Sequence, residues 1–164
     1  MTRQPRGFSL VELMLALALV AVLLALAAPG FGRQRASAAL HSATSQTVAA
    51  LHLARRLALA RGQSVTVCPS IDGTRCGYGG TEWLLFANNP GGSEARREED
   101  EAVLRRWVLP AGVVASGTRG YAAFQPRPGA AATLTIEFRH PGMPGSVRRV
   151  VVSQTGRPRV EAPE

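Results

Sequence analysis

Arg6-Gly7-Phe8-Ser9-Leu10-Val11-Glu12-Leu13 opens a run of 21 residues, Phe8 to Ala28, whose only polar members are Ser9 and Glu12. At about 1.5 Å per residue a helix over this run spans roughly 31 Å, close to the hydrocarbon thickness of a bilayer. A carboxylate inside such a span is expensive to bury, so it calls for a functional reason. Residues 29–164 are enough for one modest domain with a single core.

Three accounts compete for the apolar run. A secretory signal peptide fits Arg3 and Arg6 as a charged start and Ala25-Leu26-Ala27-Ala28 as a small-residue cleavage site. Against it, Pro29 would follow the cut, the stretch is long and Glu12 interrupts it. A plain membrane anchor fits the length and the flanking arginines but leaves Glu12 unexplained. The third account covers every feature: Gly7-Phe8-Ser9-Leu10-Val11-Glu12 resembles the type IV prepilin signature. The resemblance implies that a prepilin peptidase removes residues 1–7 after Gly7 and that the new amino-terminal Phe8 is methylated. It also implies that Glu12 pairs with a neighbouring subunit's amino terminus in a filament of major and minor pilins. A carboxylate in an apolar bundle needs such a cationic partner, since losing it leaves an unpaired buried charge. Residues 8–28 would then serve first as an inner-membrane span, with the rest of the chain periplasmic, and later as filament core at the cell surface.

Pro29, Gly30 and Gly32 predict a kink or a partly melted stretch. Residues 33–61 contain neither proline nor glycine, and Leu40, Ala43, Thr47, Leu51, Ala54 and Ala58 recur at helical spacing. Gly62 reads as the helix stop, with Arg55, Arg56 and Arg61 near the negative end of its dipole. Residues 29–62 are therefore expected to continue the helix onto a β-rich domain of residues 63–164. Beyond Gly62, residues 64–68, 83–87, 103–109, 121–125, 132–139 and 146–154 are short β-rich runs separated by Gly, Pro and Asn. Leu134, Ile136 and Phe138 alternate with Thr133, Thr135, Glu137 and Arg139, a strand with one dry and one wet face. One helix followed by strands predicts an α+β fold, a long kinked helix laid on antiparallel sheet.

Cys68 and Cys76 enclose seven residues, Pro-Ser-Ile-Asp-Gly-Thr-Arg. If the domain lies outside the cytoplasmic membrane, a disulfide closing this loop is the natural reading. The spacing does not match a CxxC redox pair, and no second Cys or His pair supports zinc. No catalytic constellation stands out. His140 lies in a His-Pro-Gly turn, and His41 and His52 sit about three helical turns apart. Gly77-Tyr78-Gly79-Gly80 lacks the Lys-Ser/Thr of a phosphate loop, and Glu98 to Glu101 reads as a solvated acidic loop rather than a calcium site. The chain is expected to be no enzyme and to need no cofactor or metal.

Charge is unevenly placed. The net charge is +8, and all 19 basic residues are arginine. Residues 102–160 hold nine arginines against the single acid Glu137, which suits phosphates or an acidic partner. The tail, Val150-Val151-Val152-Ser153-Gln154-Thr155-Gly156-Arg157-Pro158-Arg159-Val160, the cysteine loop and Trp83-Leu84-Leu85-Phe86 together resemble the FimT/GspH family of minor pilins and pseudopilins. In the FimT branch a Gly-Arg-x-Arg tail goes with DNA binding in natural transformation, and Gly156, Arg157 and Arg159 match it. Arginines two apart on an extended segment point the same way and can reach phosphates of one strand. Arg148 and Arg149, with Arg127 and Arg139, are expected to widen the patch. With no stacking aromatics in the tail, phosphate contact without sequence preference is the expected mode. The family equally contains structural pseudopilins of type II secretion systems and minor pilins that only prime assembly. A solubilising tail is the plainer account of Gly-Arg-Pro-Arg.

Overall fold

The computed structural model describes residues 9–127 and 133–161, with residues 26–29 described through their backbone alone. Gly7 and Phe8 lie outside the described residues. Helix α1 runs Leu10–Arg61. It is followed by strands β1 (Val65–Pro69), β2 (Glu82–Ala87), β3 (Val103–Val108), β4 (Val114–Gly117), β5 (Ala122–Phe124), β6 (Leu134–Arg139), β7 (Val147–Val152) and β8 (Pro158–Glu161). The chain divides into two compact units, Met1–Arg35 and Ala36–Glu164.

In the first unit the backbone stays helical through Pro29, Gly30 and Gly32, so the expected interruption takes the form of a bend after Ala25 rather than a melted stretch. A proline removes one i→i−4 hydrogen bond but its φ is compatible with a helix. The apolar side chains from Leu10 to Leu24 are exposed, a surface that needs a covering partner. Among the described residues no single unbroken helix is long and apolar enough to cross a membrane. The segments Leu10–Ala25 and Gly30–Arg61 taken together meet that test of length and composition.

In the second unit Leu40, Ala43, Thr47, Leu51, Ala54 and Ala58 are all buried, as their spacing requires. At Ala43, Ala54 and Ala58 the stripe carries only a methyl group, which leaves room for the sheets to approach the helix there. Gly62, at φ 65°, ends the helix, and the Gln63 N–H donates to the Ala58 carbonyl five residues back, the Schellman arrangement. The strands form two antiparallel sheets of four, in the orders β3-β2-β1-β5 and β4-β6-β7-β8. One core joins α1 to both, through Val65, Val67, Trp83, Leu85 and Trp107 of the first sheet and Leu134, Ile136, Phe138, Val150 and Val152 of the second.

The two sheets are tied at Gly79, in the loop between β1 and β2, which bridges to Ser116 of β4. A Cβ on Gly79 would sit 2.4 Å from the Ala115 carbonyl oxygen, so only glycine allows this backbone approach. The glycines of Gly77-Tyr78-Gly79-Gly80 thus serve a structural joint. The six β-rich runs match the six strands β1, β2, β3, β5, β6 and β7, with Pro69 of β1 and Glu82 of β2 falling just outside them, whereas β4 and β8 escape the pattern. The tail is therefore no free extension: it is the edge strand of the second sheet.

Candidate functional site

The tail returns on β7 through a five-residue connection, Ser153 to Arg157. The Gly156 N–H donates to the Ser153 carbonyl at 2.8 Å, and the Ser153 N–H donates to the Arg157 carbonyl at 3.2 Å. Gly156 has φ 72° and is buried, so it supplies the left-handed residue that closes this type of hairpin. Its carbonyl accepts a hydrogen bond from Arg55 Nη1 of α1 at 3.5 Å. Pro158 is buried opposite Val152, while Arg157 and Arg159 are exposed. Strand alternation turns Arg159 to the outer, wet face, and Arg157, the last residue of the connection, is exposed two positions before it.

That face has a definite charge order. Register places Glu137 beside Arg149 and Arg149 beside Glu161, with Arg159 one step along. Arg139 Nη2 donates to Glu137 Oε2 at 2.8 Å and Arg149 Nε to Glu137 Oε1 at 2.9 Å. Arg159 Nη2 pairs with Glu161 Oε1 at 3.0 Å. The hydrogen bond from Arg139 first, and that from Arg149 second, hold the Glu137 carboxyl below its usual range. All these groups are partly open to water, so the pairs contribute little to stability and exchange readily with another anion. The Arg157 guanidinium has no ionic or hydrogen-bonding partner among the described residues. Four arginines and two glutamates leave the face and the adjoining connection two charges positive, shaped for an extended polyanion.

Arg148 stands apart from this group. It pairs with buried Phe138, so it projects from the opposite face of β7 to Arg149 and does not share a patch with it. Adjacent residues on one strand cannot do otherwise, which corrects the expectation that Arg148 and Arg149 act together. Arg127 is exposed in the loop after β5.

Cys68 and Cys76 are joined, closing the loop after β1. Within it, backbone N–H groups of Arg75 and then Thr74 hold the Asp72 carboxyl far below its usual range. The neighbouring acidic loop is more ordered than its composition suggests. Glu101 is buried, accepting from the Asn89 N–H at 2.7 Å and the Glu98 N–H at 2.9 Å. Arg97 donates to the carbonyls of Gly73, Glu98 and Glu101. The acidic run thus holds a loop together rather than merely solvating it. His140 sits in the expected turn, its Nδ1 accepting from the Gly142 N–H. Glu12 is exposed in the first turn of α1.

The geometry can be set beside known proteins. The crystal structure of the Pseudomonas aeruginosa type IV minor pilin FimU matches with a TM-score of 0.55 at 21% identity, covering 74% of this chain and 92% of that one. The minor pseudopilin EpsH from the type 2 secretion system of Vibrio cholerae matches with a TM-score of 0.55 at 15% identity, covering 76% of this chain and 97% of that one. At these identities the likeness is one of fold. No curated protein sequence matches the chain. Residues 2–28 match the prokaryotic N-terminal methylation motif. Residues 43–156 match the family described as type II transport protein GspH, a match that stops one residue short of Arg157. With a pilin-like fold, that motif and a match over most of its length, the chain belongs to the GspH family of minor pilins and pseudopilins.

Proposed function

We propose that this chain is a minor type IV pilin that holds DNA by its phosphate backbone through the β7–β8 hairpin, for uptake in natural transformation. The observation that carries the reading is the exposed Arg157 guanidinium, without a partner among the described residues and two positions before the exposed Arg159. A phosphate chain laid on this hairpin meets Arg157 first and can take Arg159 and Arg149 from their carboxylates at little cost. In the same reading, prepilin peptidase cuts between Gly7 and Phe8, the exposed apolar helix rests in the inner membrane, and Glu12 later pairs with a neighbouring pilin in the filament.

A second reading is a structural pseudopilin of a type II secretion system. It is favoured by the likeness to EpsH and by a family match that ends at residue 156, before the tail arginines. Binding separates the two. With the full-length protein in detergent, duplex DNA should bind regardless of sequence. Arg157→Gln with Arg159→Gln should lower affinity and flatten the slope of log affinity against log salt by about two. Wild-type binding by the double variant, or no binding by wild type, would leave the pseudopilin reading standing.

A further inference from the structure

Arg55 of α1 forms a hydrogen bond with the tail. It is half-buried near the carboxyl end of the helix, 101 residues from its partner, and its Nη1 donates to the Gly156 carbonyl at 3.5 Å. That carbonyl belongs to the peptide unit whose nitrogen is Arg157's. The N–H of the same peptide donates to Ser153 Oγ at 3.3 Å. The Gly156–Arg157 peptide is therefore held from both sides, and the direction in which the Arg157 side chain leaves the hairpin follows from that. A guanidinium carries five N–H donors, and one carbonyl uses only one of them. β8 is the outer strand of its sheet, so no further strand of that sheet lies beyond the hairpin.

We infer that Arg55 belongs to the same polyanion site as Arg157 and Arg159, supplying a third phosphate-binding cation from the helix while fixing the aim of Arg157. The inference rests on the DNA-binding reading above. It places the path of the nucleic acid over the hairpin tip toward α1, rather than along the middle of the second sheet. Arg56 is the internal control. It is exposed one position later on the helix, rotated by about 100°, and so faces away from the contact made by Arg55.

The test compares full-length wild type with Arg55→Gln, Arg55→Lys, Arg56→Gln and Arg157→Gln in detergent, titrating a duplex by fluorescence anisotropy across salt concentrations. Thermal unfolding of each variant checks that the fold is retained. Arg55→Gln should lower affinity several-fold and reduce the salt slope by about one, as Arg157→Gln does. Arg55→Lys keeps the charge and should restore the slope while recovering only part of the affinity, because an ammonium lacks the guanidinium's fixed fork. Arg56→Gln should bind as wild type does. An unchanged slope in Arg55→Gln, with Arg157→Gln still showing its loss, overturns the role of Arg55 and spares the hairpin reading. Equal losses in Arg55→Gln and Arg56→Gln also overturn it, because a diffuse field rather than a contact would then be at work. Absence of wild-type binding removes the hairpin reading itself, and this inference with it.

Discussion

The two sheets share one core against α1, yet they differ in what meets their second face. In the first sheet every residue of β1 and all but one residue of β2 are buried. Leu84, Phe86 and Cys68 turn away from the helix and are covered by Cys76 and Tyr121. In the second sheet β6 alternates between buried and partly exposed residues, and its wet face carries Glu137 and Arg139. The inner strands β1 and β2 of the first sheet are closed on both sides and read as scaffold, while its edge strand β3 is exposed at Val103, Arg106 and Val108. The second keeps a face on which charge can be arranged without disturbing the core, and Arg139, Arg149 and Arg159 are found there, whereas the charges of the first sheet, Glu82, Arg105 and Arg106, lie toward its edge strand β3.

The widest test of this contrast is a large-to-small change on each outer face. Phe86→Ala, under the disulfide loop, should cost about 3–5 kcal/mol, through lost burial and the cavity left behind. Val151→Ala, half-buried on the outer face of β7, should cost about 1 kcal/mol or less. Chemical denaturation of both variants measures the difference. Equal costs would mean that the outer face of the second sheet is also packed, and that its charge order is incidental.

A smaller effect is expected from the bridge that covers the first sheet. Cys68→Ser with Cys76→Ser releases a loop of seven intervening residues, and the chain-entropy account sets the loss at about 2.5 kcal/mol. The hairpin proposed to bind DNA lies in the other sheet, so salt slopes should be unchanged in the folded double variant. A change in slope would show that the two sheets are coupled more tightly than the contrast allows. Thiol labelling of unfolded, unreduced wild type should give no signal.

Most of the scaffold was legible because its signals are local. The helical stripe from Leu40 to Ala58 and the alternation of Leu134, Ile136 and Phe138 are periods that a core imposes on sequence directly. The elements that escaped depend on long-range pairing. Strand β8 holds a glycine-closed turn and a proline just before its exposed residues, and it is a strand because Val152 and Val150 offer it an edge. Strand β4 is four residues long and ends in glycine, too short for a period to show. The same limit applied to the site. The pair Arg157 and Arg159 could be read from spacing, and so could the opposed faces of Arg148 and Arg149 once β7 was drawn as a strand. The contact of Arg55 with Gly156 could not, since no local pattern joins residues 101 apart. Glu101 was hidden for a related reason, as a run of four acids gives no sign of which one folds inward.

The smallest effect is the most specific to the wet face. Glu137 holds both Arg139 and Arg149, and it is an anion on the surface proposed to meet phosphate. One unit charge about 10 Å from a phosphate in a water-like dielectric is worth roughly 0.4 kcal/mol, so Glu137→Gln should tighten DNA binding about twofold at low salt and less as salt screens it. Its effect on stability should be under about 1 kcal/mol, because the network is open to solvent. The pH dependence has a fixed sign. The folded carboxyl titrates below its ordinary value, chiefly because of Arg139, so its contribution to stability is fully present above that value, about 4.3, and is lost as pH falls through the lower folded pKa. Wild type and Glu137→Gln should therefore differ by a constant ratio of affinities from pH 6 to 8 and converge only in acid, as the wild-type carboxylate takes up its proton. If Glu137→Gln instead binds more weakly at neutral pH, the carboxylate serves the site by aiming Arg139 and Arg149. The arginines of the second sheet would then be a prearranged set rather than a reserve drawn from ion pairs.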